Sequence, residues 1–111
     1  MIVPIDTRLI TDWNSFHDVF ARALGFPDYY GRNLDAWIDC MSSLNDPENT
    51  DNSVRAKPGE IVVLHFEHMA EFKNRCQKQY EAIIECAAFV NFRAIVDGYE
   101  PVLALSFHYR A

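Results

Sequence analysis

Ile61-Val62-Val63-Leu64-His65-Phe66 limits the fold more than any other stretch: five of its six residues are apolar, three are β-branched, and no polar alternation breaks it. A run of this length reads as a strand buried on both faces, as parallel sheets require. Val102-Leu103-Ala104-Leu105-Ser106-Phe107 is a second strand candidate, set off by Gly98 and Pro101, and Met1 to Ile5 is a third. Pro4 removes one ladder donor from that first strand, which suits an edge or an end of pairing. Helical periods lie between the runs. Trp13, Phe16, Val19, Phe20, Ala23 and Leu24 recur on one face, with Thr11 or Asp12 as N-cap and Gly25 as the stop before Pro27. Within Ala70 to Val90, Phe72, Cys76, Tyr80, Ile83, Ile84, Ala87 and Val90 trace a long apolar face, leaving Lys73, Lys78, Glu81 and Glu85 outward. Strands alternating with helices imply right-handed crossovers, so the expected fold is α/β, a small parallel sheet covered by helices.

Chain length and charge bound the function. A single domain over residues 1–111 is expected, since 111 residues leave no room for a second core. Ten basic against sixteen acidic side chains give a formal charge of -6. That balance disfavours nucleic acid or an anionic membrane as partner and favours a basic protein. No apolar run approaches the roughly 18 residues of a membrane span, and no basic region precedes an apolar stretch at the start, so a cytoplasmic protein is expected. Cys40, Cys76 and Cys86 are an odd set without paired metal spacing and read as reduced, small core residues. His65 and His68 do not share a face as helical ligands at i, i+4 would, so neither a metal nor another cofactor is expected. Asp35 and Asp39 could form an acid–base dyad, but they sit on one helix with no pocket wall in view, and no His stands near Cys40 to activate it. With no glycine-rich phosphate loop either, an enzyme is not expected.

Tyr29-Tyr30-Gly31-Arg32-Asn33-Leu34-Asp35-Ala36-Trp37-Ile38-Asp39-Cys40-Met41 carries the remaining signal. Leu34, Trp37, Ile38 and Met41 fall at i, i+3, i+4 and i+7, one buried helical stripe, while Asp35 and Asp39 share another face. Asn33 is a good N-cap, and Gly31 permits a tight turn into the helix. Like charges at i, i+4 cost a helix roughly 0.2 to 0.5 kcal/mol. The helix dipole favours Asp35 in the first turn but gives Asp39 little. Two acids can simply solvate a surface helix, or they can form an acidic surface aimed at a cationic cleft.

From Pro27 to Met41 the chain resembles the signature of the barstar family, intracellular inhibitors of barnase-type ribonucleases, in the pattern Pro-x-Tyr-Tyr-Gly-x-Asn-Leu-Asp-Ala-x-x-Asp-Cys. The resemblance implies a three-stranded parallel sheet covered by helices. It also implies that the chain inhibits a basic, extracellular-type ribonuclease or nuclease toxin by occluding its active site, as an immunity protein or antitoxin that is monomeric when free. Carried over, the interface centres on Asp35, Asp39 and Tyr29, flanked by Gly31, Asn33, Leu34, Ile38 and Ser42. Trp37 and Leu44 stand near the family's interface aromatics, Trp37 one position early. The family's further acid, on the helix before the last strand, has Glu81 and Glu85 as candidates. Arg32 replaces an acid and would be unwelcome beside a basic cleft, which points to a cognate nuclease different from barnase. A barstar-like adaptor for another basic protein is the alternative. The polar stretch 46–60 reads as a surface loop whose acids Asp46, Glu48 and Asp51 keep it solvated.

Overall fold

The computed structural model describes residues 1 to 109. In chain order the elements are β1 (Ile2–Ile5), a 3-10 turn (Thr7–Leu9), α1 (Trp13–Leu24), α2 (Leu34–Ser42), β2 (Val62–Phe66), α3 (Met69–Arg75), α4 (Gln77–Val96) and β3 (Leu103–Phe107). The three strands form one parallel sheet in the order β1-β2-β3. This is the α/β architecture expected from the sequence.

Pro4 is accommodated because β1 is an edge strand. The Val63 N–H donates to the Met1 carbonyl at 2.8 Å. Bonding residues alternate along a strand, so Val3 and Ile5 also face β2 and the Pro4 nitrogen faces the free edge, where no donor is needed.

The central strand departs from expectation. Val62, Leu64 and Phe66 are buried, but Val63 and His65 are only half-buried, so β2 is not sealed on both faces. Phe66 pairs in register with Phe107, which puts both on one side of the sheet. Phe20 of α1 packs against Phe66 and Tyr80 of α4 against Phe107, so both helices cover that same side. On the other side, Ile2 and Pro4 are exposed and Val63, His65, Ala104 and Ser106 only half-buried, so no helical layer of the described residues seals it. A run of apolar residues marks a buried strand without saying how many layers bury it.

Asp12 caps α1 by accepting from the Ser15 N–H at 2.8 Å, and Gly25 ends it with φ 64. A Cβ at Gly25 would lie 2.0 Å from the Ser53 hydroxyl and 2.8 Å from the Val54 nitrogen, so this position requires glycine. The long helix expected over Ala70 to Val90 is two helices, broken at Cys76, whose φ of -133 leaves the helical region. Arg75 and Cys76 reach back to backbone carbonyls of the Thr7–Ile10 segment, and those contacts hold the break. The apolar period runs through it unchanged, which hides it from the sequence.

Candidate protein-binding site

The turn before α2 is built by two adjacent tyrosines with opposite fates. Tyr30 is 8% exposed, and its hydroxyl lies 2.6 Å from Nδ1 of the buried His17, tying the turn to α1. Burial raises the Tyr30 pKa and lowers that of His17, the latter helped by the Arg32 charge. Tyr29, 71% exposed, points outward and donates its hydroxyl to the Asp51 carboxylate. That bond raises its pKa. The left-handed residue of the turn is Arg32, φ 53, rather than Gly31, whose added Cβ would meet only ordinary contacts at 3.4 Å. Gly31 instead leaves its backbone bare beside Tyr29.

Asn33 then starts α2 by accepting from the Ala36 N–H at 2.8 Å. Trp37, Ile38 and Met41 are buried and Leu34 is half-buried, so the stripe read from the sequence anchors the helix. The Trp37 ring meets Phe20 edge to face at 5.5 Å. Asp35 and Asp39 are consequently exposed, one turn apart on the outward face.

Three residues expected at a partner surface lie elsewhere. Trp37 and Leu44 are fully buried and Ile38 is 9% exposed. They hold α2 against the core, because an aromatic placed at the fourth position of the helix falls on the buried stripe. Ser42 is half-buried and donates its hydroxyl to the Ile38 carbonyl at 2.7 Å. Tyr29, Gly31, Asn33, Asp35 and Asp39 are all exposed, on the turn and the α2 helix that it leads into.

The loop after α2 is packed as well as polar. Asn52 is buried and donates from Nδ2 to the Cys40 carbonyl at 2.8 Å, while the Ser53 N–H donates to the Gly25 carbonyl at 2.8 Å. Arg55 donates to the carbonyls of Asp46 and Asn49. Asp51 is thereby held at Tyr29, so one of the three acids read as merely solvating joins the site. The Cys40 thiol senses the result: burial raises its pKa, followed by the Asp39 and Asp51 carboxylates.

Two arginines border the acids, and each pairs with a carboxylate of the chain. Arg32 folds back on α1, 2.9 Å from Asp18 and also bonded to Asn14, which removes the objection to a cation in this turn. Arg93 of α4 reaches Asp39 at 3.2 Å and lies over the Phe89 ring at 5.9 Å. Further up α4, burial raises the Cys86 thiol pKa, followed by the Glu85 and Asp35 carboxylates, and Glu85 itself is exposed. Glu81, one turn earlier, accepts from Gln77 of its own helix at 3.3 Å. Asp51 and Arg93 carry no local sequence signal, since their partners Tyr29 and Asp39 lie 22 and 54 positions away.

His65 and His68 do not converge. His65 contacts Ser106 and Glu67, both at 2.9 Å, Glu67 also pairs with His108, and His68 opens α3 in a left-handed conformation. Among the described residues no group of three metal-ligating side chains is placed to hold an ion, and no helix is long and apolar enough to cross a membrane.

The surface is thus an exposed acidic helix edge with an aromatic at its head. A family model described as "Barstar (barnase inhibitor)" matches residues 1–100 of the chain. A Bacillus subtilis (strain 168) protein described as "Putative ribonuclease inhibitor YrdF" is 48% identical over 44 residues, covering 40% of this chain and 48% of that protein. The match therefore spans about half of that relative's length.

Proposed function

The chain belongs to the barstar family of barnase inhibitors, and from that membership we propose that it inhibits a barnase-like ribonuclease by seating Asp35 and Asp39 in the enzyme's active site. A nuclease that cleaves RNA lines its cleft with Arg, Lys and His side chains. Carboxylates on a helix occupy the phosphate positions there, and Arg meets them with paired, charge-assisted hydrogen bonds. Tyr29 supplies a flat contact at the rim, Gly31 lets backbone approach closely, and Asp51 extends the acidic field. The net charge of -6 speeds encounter with a basic enzyme in a salt-dependent way. The partner in this reading is a basic, secreted-type nuclease or nuclease toxin, and the inhibitor acts in the cytoplasm as its antitoxin.

The observation that carries the reading is the division of α2: a buried stripe fixes the helix and leaves two acids, one turn apart, fully outward. The test is inhibition of a panel of barnase-type ribonucleases, barnase included, by the wild type and by Asp35→Ala, at low and high salt. Asp35→Ala should weaken inhibition by about 2 to 5 kcal/mol, a range that rests in part on barnase and its own inhibitor. Complete indifference of every enzyme to the folded wild type would leave an adaptor for some other basic protein.

A further inference from the structure

The surface that continues from the acids onto α4 has the opposite character. From Cys86 to Val96 the only charged residue is Arg93. Phe89 and Phe92 are exposed, the latter by 59%, and their rings stack with centroids 6.2 Å apart. Val96 and Ile95, also exposed, prolong the patch toward the end of the helix. A helix apolar on nearly every side ordinarily has something covering it.

Arg93 joins this patch to the acidic edge. Its guanidinium spans from the Phe89 ring to the Asp39 carboxylate, so a body that covers Asp39 meets Arg93 and has Phe89 next in line. Size points the same way. A stable complex covers about 800 Å² on each partner, whereas α2 has nine residues and so measures only about 14 Å along its axis. The footprint must extend past α2, and on this flank the neighbouring surface is α4.

Resting on the reading of α2 as the nuclease-binding helix, we infer that the partner nuclease carries an apolar shoulder beside its cationic cleft, which packs on Phe89 and Phe92 and faces Arg93 without a cation of its own. Arg93 then acts as a specificity determinant: it holds Asp39 in place and repels any nuclease whose basic rim extends over α4. Near-neutral contacts that exclude water around a hot-spot residue are what interfaces use to strengthen it.

The test uses the panel member that the wild type inhibits most tightly, titrated with wild type, Asp35→Ala and Phe92→Ser, at low and high salt, with sedimentation of the free inhibitor alongside. Phe92 is exposed, so its replacement leaves the core intact, and thermal unfolding verifies this. The expected result is that Phe92→Ser weakens inhibition about tenfold or more at both salt concentrations, while the Asp35→Ala loss shrinks as salt rises. Inhibition unchanged within about twofold by Phe92→Ser, together with a large Asp35→Ala loss, overturns the shoulder and leaves the acidic helix standing. Loss in neither variant overturns both. A free inhibitor that sediments as a dimer, dissociates with Phe92→Ser and inhibits as before assigns the patch to a second copy of the chain and overturns the inference.

Discussion

The two helices that lie side by side at the site are opposites. α2 divides its nine residues cleanly, with Trp37, Ile38 and Met41 inside and Asp35 and Asp39 outside, and it has an Asn33 cap. α4 spreads apolar residues around its second half, has no side-chain cap, and leaves Phe89, Phe92, Ile95 and Val96 in solvent. The contrast teaches that the apolar side chains of α2 are used up in its own anchoring, whereas Phe92, Ile95 and Val96 of α4 stand in solvent and are available for another purpose.

Removing the anchor of α2 should have the largest effect. Trp37→Ala, at a fully buried position, should cost about 3 to 5 kcal/mol by leaving a cavity, read from urea or thermal unfolding. A loss below about 1 kcal/mol would mean that α2 is not held by its stripe. Asn33→Ala removes the cap and should cost about 1 kcal/mol in the same measurement.

Acid should loosen the turn before α2 while sparing α4. Burial, with the Arg32 charge, lowers the His17 pKa below its usual 6.5. The unfolded chain then binds the proton more readily, so stability is full above about pH 6.5, declines as pH falls below it, and levels off once pH drops under the folded-state value. His17→Asn should flatten the dependence of the melting temperature on pH in that window. An unaltered slope would place its origin in other groups. The smallest change belongs to α4: Phe92→Ser should alter folding stability by no more than about 0.5 kcal/mol. A larger loss would show that this face does support the fold and would end the contrast.

Where the determinants are local, the sequence was a good guide. α1 and α2 were legible because a cap and an apolar stripe, with the Gly25 stop for α1, lie within about a dozen residues of one another. The same stripe should have removed Trp37 and Ile38 from the binding surface, since a residue cannot both anchor a helix and meet a partner on its outer face. What stayed hidden depends on residues distant in the chain. Asp51 at Tyr29, Arg93 at Asp39 and the break at Cys76 are each fixed by contacts across the fold. The open side of the sheet was hidden differently, since three short strands pack against one helical layer without altering their apolar content.

The register of the sheet also sets the order in which the molecule can be made. Ile2 pairs with Val63, and Val63 with Ala104, separations of 61 and 41 residues. Closing such long loops comes before any reward from the strands, which slows folding relative to a bundle of neighbouring helices. During synthesis the first strand must wait, unpaired, until residues beyond 66 have left the ribosome, while α1 and α2 have only local bonds to form. The acidic helix can therefore exist as a fluctuating segment well before the sheet exists to hold it, and a rigid binding surface arrives last, when β3 completes the sheet.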